Sequence, residues 1–192
     1  MPKSIDTQHS ILIVSSSGQF DAIVSRSLTG YISKDICKSA AIARRFVIER
    51  YYDLVVINAP LPDENGEDLA MDVSENCNAS ILLVTPQDVA DAAMERLSDH
   101  GILIVPKPAP GGRIDKAIRF LFSIQDRIHA IERKRQAAEE KIEELRIVSK
   151  AKILLVEKKK MTEDEAHRYI GKQAMDRGVS RRRIAERILD DL

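Results

Sequence analysis

Four short, uninterrupted apolar runs constrain the fold of this chain more than any other sequence feature. They occupy residues 11–14, 54–57, 81–84 and 102–105. A run of this kind is typical of a strand buried on both faces, as in a parallel sheet covered by helices. Segments with helical spacing separate the runs, and residues 33–37 add a short edge strand. The alternation predicts an α/β domain with a doubly wound, five-stranded parallel sheet over residues 11–122, preceded by a flexible terminus at residues 1–10.

Several protein classes are excluded by composition and by missing motifs. No run approaches the roughly 20 apolar residues of a membrane helix, and the first ten residues lack the apolar core of a secretory signal. We therefore expect a cytoplasmic protein that has no membrane partner. Cys37 and Cys77 lie far apart without C-x-x-C spacing, which predicts reduced structural thiols. The four histidines show no metal-ligand spacing and no nucleotide or nucleophile motif occurs, so we expect no metal, no cofactor and no catalytic residues.

Charge is divided unevenly along the chain, although it sums to zero. Residues 1–126 contain 12 basic and 17 acidic residues, whereas residues 127–192 contain 18 basic and 13 acidic residues. The excess is largest over residues 146–187, with 13 basic and 6 acidic residues. This distribution predicts a polyanionic partner for the C-terminal part of the chain, and a nucleic acid is the first candidate.

Polar residues follow the predicted strands at their carboxyl ends, where ligands bind in sheets of this type. Ser15 and Ser16 follow the first strand, and Asn58, Thr85 and Lys107 end or follow the third, fourth and fifth. The loop that begins at Asn58 has proline four residues later and glycine eight residues later. It is similar to the D-x-x-x-P-x-x-x-G loop of receiver domains, and residues 9–122 resemble the receiver of two-component response regulators.

The departures from the receiver pattern remove its phosphorylation chemistry. In that family an acidic pair holds Mg²⁺ and an aspartate accepts the phosphoryl group, but Ser15, Ser16 and Asn58 stand at these positions. Hydroxyls and an amide offer Mg²⁺ no anionic oxygen, and an amide forms no acyl phosphate. We expect a pseudo-receiver with a degenerate site, in which Thr85 and Lys107 serve packing and hydrogen bonding. A protein partner and a small ligand both stay open as regulators of this domain.

A long polar segment after the predicted sheet has the four-three spacing of a short coiled coil. It contains no Gly or Pro, and it predicts a linker helix over residues 123–149 that forms a homodimer. The alternative is a single helix packed against its own domain. Arg135 occupies a seam position and weakens the pattern. The expected apolar seam consists of Ile124, Ile128, Ile131, Ala138, Ile142 and Leu145.

The last part of the chain, residues 145–192, predicts three helices with narrow, alanine-rich inner faces. Thr162 and Glu165 have the spacing of a capping box, Gly178 is placed to end the second helix, and Ser180 to begin the third. The residue order resembles the ANTAR domain, with a departure at Ile153, where that family commonly has glycine. The matching residues are Ala151, Lys152, Leu154, Met161, Thr162, Glu165, Ala166, Ile170, Ala174, Met175, Ile184, Ala185 and Ile188.

The ANTAR resemblance implies a non-enzymatic, RNA-binding transcription antiterminator. Members of that family bind paired stem-loops in nascent mRNA leaders and prevent terminator formation. A DNA-binding regulator is the alternative, because the turn at residues 177–180 would also suit a helix-turn-helix. In either case the basic residues are the expected contacts. The candidates are Lys152, Lys159, Arg168, Lys172, Arg177, Arg181, Arg182 and Arg183.

Overall fold

The computed structural model describes residues 9–28 and 32–191 of the chain. Residues 1–8 of the expected flexible terminus lie outside the described residues, whereas His9 and Ser10 already belong to a strand. The chain divides into an N-terminal unit that ends at His129 and a C-terminal unit that begins at Ala130. Within the described ranges, no helix combines the length and the apolarity that crossing a membrane requires.

The N-terminal unit contains the predicted five-stranded parallel sheet. Counted along the chain, its strands lie side by side in the order second, first, third, fourth and fifth. In the central pair, Val14 of the first strand lies beside Ile57 of the third, so the carboxyl ends of the two strands are adjacent. The polar residues that follow them are thereby brought to one edge of the sheet. The strands are β1 (His9–Val14), β2 (Ile32–Cys37), β3 (Leu54–Asn58), β4 (Ser80–Thr85) and β5 (Ile102–Pro106).

Helices cover both faces of the sheet, which explains why the runs at residues 11–14, 54–57, 81–84 and 102–105 are apolar throughout rather than alternating. The edge strand β2 is polar in its middle. One core cluster contains Leu12 and Val55 with side chains of the second, third and fourth helices of the chain. The other contains Ile13 and Val56 with side chains of the first and fifth helices. A 3₁₀ turn, Ser98–His100, precedes the last strand. The helices of this unit are α1 (Gly18–Ser27), α2 (Ala40–Glu49), α3 (Glu67–Asn76), α4 (Gln87–Leu97) and the first part of α5 (Gly111–Lys159).

Helix α5 begins earlier than its sequence indicates. Gly111 and Gly112 read as a plain turn after a proline-rich stretch, but they form the first turn of the helix. The carbonyl of Pro110 accepts hydrogen bonds from the backbone N–H groups of Arg113 and Ile114. Glycine costs most in a helix interior, and the first amides of a helix have no partner within it in any case. Two glycines are therefore tolerated at this position.

The C-terminal unit packs the end of α5 against α6 (Glu163–Arg177) and α7 (Arg181–Asp191). The predicted capping box is confirmed, because Thr162 Oγ1 accepts from the Glu165 backbone N–H while the Glu165 carboxylate accepts from the Thr162 N–H. Gly178 ends α6 with a φ of 61°, as expected for a left-handed cap. Helical spacing places Leu189 beside the buried Ile188 on α7, but Leu189 is exposed. The buried residues are Ala151, Leu155, Ala166, Ile170, Ala174, Ile184, Ala185 and Ile188.

Candidate nucleic-acid interface and degenerate receiver site

The hydroxyl of Ser15 is the centre of a small buried network at the edge of the sheet. It accepts a hydrogen bond from the Asn58 amide nitrogen at 3.0 Å and another from the backbone N–H of Ser17 at 3.0 Å. The Ser17 hydroxyl in turn accepts from the Phe20 N–H at 3.3 Å and caps α1. Ser16 points into solvent and takes no part in this network. Ser15 and Ser17 therefore hold the start of a helix.

The remaining two residues of the degenerate site lie at the neighbouring strand ends. Thr85 is buried, and its carbonyl accepts from the Lys107 backbone N–H at 2.8 Å. The Lys107 ammonium donates to the Ala59 carbonyl at 2.5 Å, and burial lowers the pKa of this lysine. A cavity of about 280 Å³ is lined by Asn58 and Lys107 together with Ser17 and mainly apolar neighbours. Among the described residues no carboxylate lines this cavity, so these walls supply no anionic ligand for Mg²⁺.

Both cysteines are free thiols, one buried and one half-buried. Burial raises the pKa of Cys37 to about 11 and also raises the pKa of Cys77. Because the thiolate is the reactive form, neither side chain is a nucleophile near neutral pH.

The predicted seam on α5 separates into a buried start and an exposed remainder. Ile124 is half-buried and packs against the core cluster of its own sheet, which differs from the expected seam position. Its neighbour Gln125 is buried and donates to the Asn78 carbonyl at 2.9 Å. Ile131 and Ile142 are 65% and 56% exposed. The other seam residues, Ile128, Ala138 and Leu145, are exposed as well.

Arg135 interrupts the seam but is not an isolated charge. Its guanidinium pairs with Glu132 and with Glu139 on the same helix, and these contacts raise its pKa. The aliphatic stem of such an arginine can cover apolar surface while its head stays in water.

Besides Arg135, and Lys141, which pairs with Glu144, three cations of the C-terminal unit are paired with carboxylates of the same unit. The Lys152 ammonium lies 2.6 Å from a Glu163 oxygen, and the Arg182 guanidinium lies 2.7 Å from a Glu186 oxygen. The third is Arg146, which is 3.8 Å from the carboxylate of its neighbour on α5. Lys152 and Arg182 are two of the sequence candidates, and their ion pairs must be broken before they can bind another anion.

Other candidate cations lack such a partner. Among the described residues, no carboxylate lies within 4 Å of the charged groups of Arg168, Lys172, Arg177, Arg181 or Arg183. The Lys159 ammonium lies 5.9 Å from the centre of the Tyr169 ring, at the outer limit of a cation–π contact. These side chains are the ones free to bind phosphate without losing an ion pair.

Acidic residues of α5 lie beside the start of α7. Hydrogen bonding to Glu186, and at longer range the charges of Glu143 and Glu140, raise the pKa of Arg182. Lys141, and more weakly Arg181 and Arg182, lower the pKa of Glu144. The three arginines at this helix start therefore do not form a purely positive surface, although the sequence suggests one.

Two features of this unit were not found by sequence reasoning. Met175 is 84% exposed, and the guanidinium of Arg181 lies within 4 Å of the point that a Cβ on Gly171 would occupy. Helical spacing could have indicated that Met175 is exposed, because it is three residues after Lys172 and lies off the apolar stripe of Ala166, Ile170 and Ala174. Nothing in the spacing indicates that Arg181 lies near Gly171, because this contact depends on how α7 packs against α6.

Comparisons with known proteins agree with these two parts. Residues 136–189 match the model of the ANTAR domain. The transcriptional regulatory protein PdtaR of Mycobacterium tuberculosis is 32% identical over 141 residues, which make up 73% of this chain and 68% of that protein.

Solved structures show the same fold for the N-terminal unit. An adenylate cyclase from Rhodopirellula baltica aligns with a TM-score of 0.60 at 17% identity, over 67% of this chain and 98% of that one. The signal receiver domain of an HD domain-containing protein from Pseudomonas fluorescens aligns with a TM-score of 0.58 at 19% identity, over 67% of this chain and 97% of that one. At these identities the likeness establishes a receiver-type fold and no shared activity.

Proposed function

The chain belongs to the ANTAR-domain response regulators and is a regulator of transcription, and from this premise we propose that it binds structured RNA as a transcription antiterminator. In this proposal the C-terminal unit binds stem-loops in a nascent mRNA leader and prevents a terminator from forming. No catalytic step is involved. We propose that the protein acts in the cytoplasm, where the transcripts are made.

One observation carries the proposal: several cations of the small C-terminal bundle have no carboxylate within 4 Å among the described residues. Arg168 and Lys172 lie on α6, and Arg177 and Arg183 lie at and after its end. Each can neutralise a phosphate and release a counterion without breaking an ion pair. The bundle core is filled by apolar side chains, so the surface is what this unit offers to a partner.

The charges near α7 favour RNA hairpins over duplex DNA. In a helix-turn-helix the start of the second helix enters the major groove between two phosphate backbones. Here that start lies near Glu140, Glu143 and Glu144, and Arg182 is already paired with Glu186. Carboxylates at this position would repel the phosphates of a duplex. An RNA loop can instead be bound on one face of a single helix.

We propose that two copies act together through the exposed seam of α5. Each chain has one ANTAR unit, so a dimer offers two, which matches a leader with two stem-loops in tandem. Binding of the second hairpin then becomes intramolecular, and the affinity rises without any new contact. The exposed apolar side chains from Ile128 to Leu145 support this proposal, since a lone helix would leave them in water.

We propose that the N-terminal unit regulates the protein without being phosphorylated. Asn58 and Ser15 bond to each other in the place of the acceptor and a metal ligand, and the part of the chain that the structure describes places no carboxylate in the lining of the adjoining cavity. The unit would then respond to a partner protein or a small ligand.

The experiment that tests the proposed function is sequencing of the RNA that co-purifies with the tagged full-length protein. We expect enrichment of mRNA leaders that can form two adjacent stem-loops. A matched control is the double variant Arg168→Glu/Lys172→Glu, which should fold normally and recover none of these leaders. Recovery of unrelated RNA by both proteins, or of genomic DNA in place of RNA, would contradict the proposal.

A further inference from the structure

Met175 is an apolar side chain placed where folding does not use it. It is 84% exposed, whereas the preceding residue, Ala174, is buried in the bundle core. Exposed methionine adds little to stability, but its flexible, polarisable side chain adapts well to flat or irregular partners. The position therefore calls for an explanation in terms of binding.

Helical spacing places Met175 beside two free cations. Arg168, Lys172 and Met175 follow one another at intervals of four and three residues, so they lie in a row on the outward face of α6. Glu165 lies one turn before this row, but its carboxylate is held by the Thr162 N–H at 2.8 Å. The row thus combines two positive charges with one exposed apolar side chain.

Arg181 of α7 extends this row at its side. Its guanidinium lies within 4 Å of the position of a Cβ on Gly171, so the head group of Arg181 lies beside Gly171 on α6. Gly171 is one helical turn before Met175. A guanidinium is a flat cation on which a base can stack, and Arg181 has no carboxylate within 4 Å among the described residues.

We infer that this surface, formed by Arg168, Lys172, Met175 and Arg181 and here named the α6 face, binds the unpaired loop of an RNA hairpin. Arg168 and Lys172 bind the loop phosphates, and an unstacked base packs between Met175 and the Arg181 guanidinium. Single-stranded loops offer both features, since their bases are free to stack on flat or apolar side chains. The inference rests on the proposed function, and it assigns the loop preference to Met175 of α6 together with Arg181, the first residue of α7.

The inference separates two properties that a binding assay can measure independently. Loss of a phosphate contact weakens binding to every loop alike and makes the dependence of log K on log salt shallower by about 0.7 to 0.9. Loss of a base contact instead removes the preference among loops and leaves the salt dependence unchanged. Lys172 and Met175 should therefore give different results although they are neighbours.

The test uses the full-length protein and a pool of two-hairpin RNAs whose loops are randomised. Bound RNA is sequenced, and the affinity for the whole pool is measured by filter binding at several salt concentrations. We expect Met175→Ala to reduce the enrichment of the preferred loops about 5-fold or more, with an unchanged salt slope. Met175→Leu should keep the preference, because it preserves the apolar contact. Thermal melting should show that both variants fold.

Lys172→Ala and Arg182→Ala form the matched pair for the phosphate contact. Lys172→Ala should weaken binding to all loops and lower the salt slope, whereas Arg182→Ala should change neither, because Arg182 is paired with Glu186. An unchanged loop preference in Met175→Ala, or equal losses of affinity in the two cation variants, would overturn the assignment of loop binding to the α6 face. Failure of the wild-type protein to bind any hairpin would instead overturn the proposed function.

Discussion

The side-chain amide of Asn58 donates a hydrogen bond to the hydroxyl of Ser15, and both groups are buried at the ends of adjacent strands. In a phosphorylated receiver these two positions belong to the acceptor and to a metal ligand. Here they bond to each other at 3.0 Å, and the Ser15 hydroxyl also accepts from the backbone N–H of Ser17, the residue that caps α1. Only the amide nitrogen of Asn58 is bonded in this pair, because its Oδ1 is buried without a hydrogen-bond partner among the described residues. The pair lacks the charge for binding Mg²⁺.

The first prediction is that the protein accepts no phosphoryl group. Incubation of the full-length protein with acetyl phosphate and Mg²⁺ should give no increase in mass, because Asn58 cannot form an acyl phosphate. A receiver with an intact aspartate, treated in parallel, controls for the reagent. A stable adduct of one phosphoryl group mapped to residues 9–122 would contradict the assignment of a pseudo-receiver.

The second prediction concerns the exposed seam of α5. The double variant Ile131→Asp/Ile142→Asp places four carboxylates in the seam of one dimer, and light scattering should then report a monomer while the wild-type protein is a dimer. Ile48→Asp is the control, because Ile48 is 83% exposed on α2 and outside the seam. If the double variant stays dimeric, the interface lies elsewhere.

The third prediction separates the core of the bundle from its surface by two adjacent positions. Ala174→Asp forces a carboxylate into the packed face of α6 and should lower the free energy of unfolding of the C-terminal unit by about 3 kcal/mol or more. Met175→Asp introduces the same side chain one residue later in solvent, and we expect a change within about 0.5 kcal/mol. Denaturation of both variants, followed by circular dichroism, measures the difference. Similar effects at the two positions would contradict the packing described for α6.

The fourth prediction is a loss of stability of the C-terminal unit in mild acid. Hydrogen bonds from the Thr162 backbone and hydroxyl lower the pKa of Glu165 from its ordinary value of 4.5. The pKa of Glu165 is lower in the folded protein than in the unfolded chain. The capping box therefore contributes its full stability above the unfolded pKa, and this contribution is lost as the pH falls through the folded pKa. Melting temperatures measured from about pH 6 to pH 3 should therefore fall below about pH 4.5. Thr162→Ala should reduce this fall, and an identical pH profile in that variant would exclude the capping box as its source.

The strands and helix ends of this chain are predictable because they depend on local sequence. The apolar runs at β1 and β3 need burial on both faces, and a capping box such as Thr162–Glu165 stabilises its own helix start. The first turn of α5 is less predictable, because Gly111 and Gly112 suggest a turn. Its helical state depends on Pro110 and on the packing of the following residues against the sheet.

The candidate interface was harder to predict because charge pairing crosses between elements. Lys152 and Glu163 are 11 residues apart and belong to different helices, so no helical spacing reveals their ion pair. The same holds for Arg181 and Gly171, which meet only because α7 packs on α6. Composition gave the sign of the surface charge, but the structure was needed to divide the cations into paired and free.

The most direct test of RNA-binding antitermination is a comparison of three nucleic acids by filter binding, with salt concentration varied. They are an RNA with two hairpins in tandem, either hairpin alone, and a duplex DNA of equal length. We expect the tandem RNA to bind most tightly, each single hairpin weakly, and the duplex DNA at the level of non-specific binding, with a salt slope that reports several phosphate contacts. Equal affinity for the duplex DNA would contradict RNA recognition and would favour a helix-turn-helix regulator.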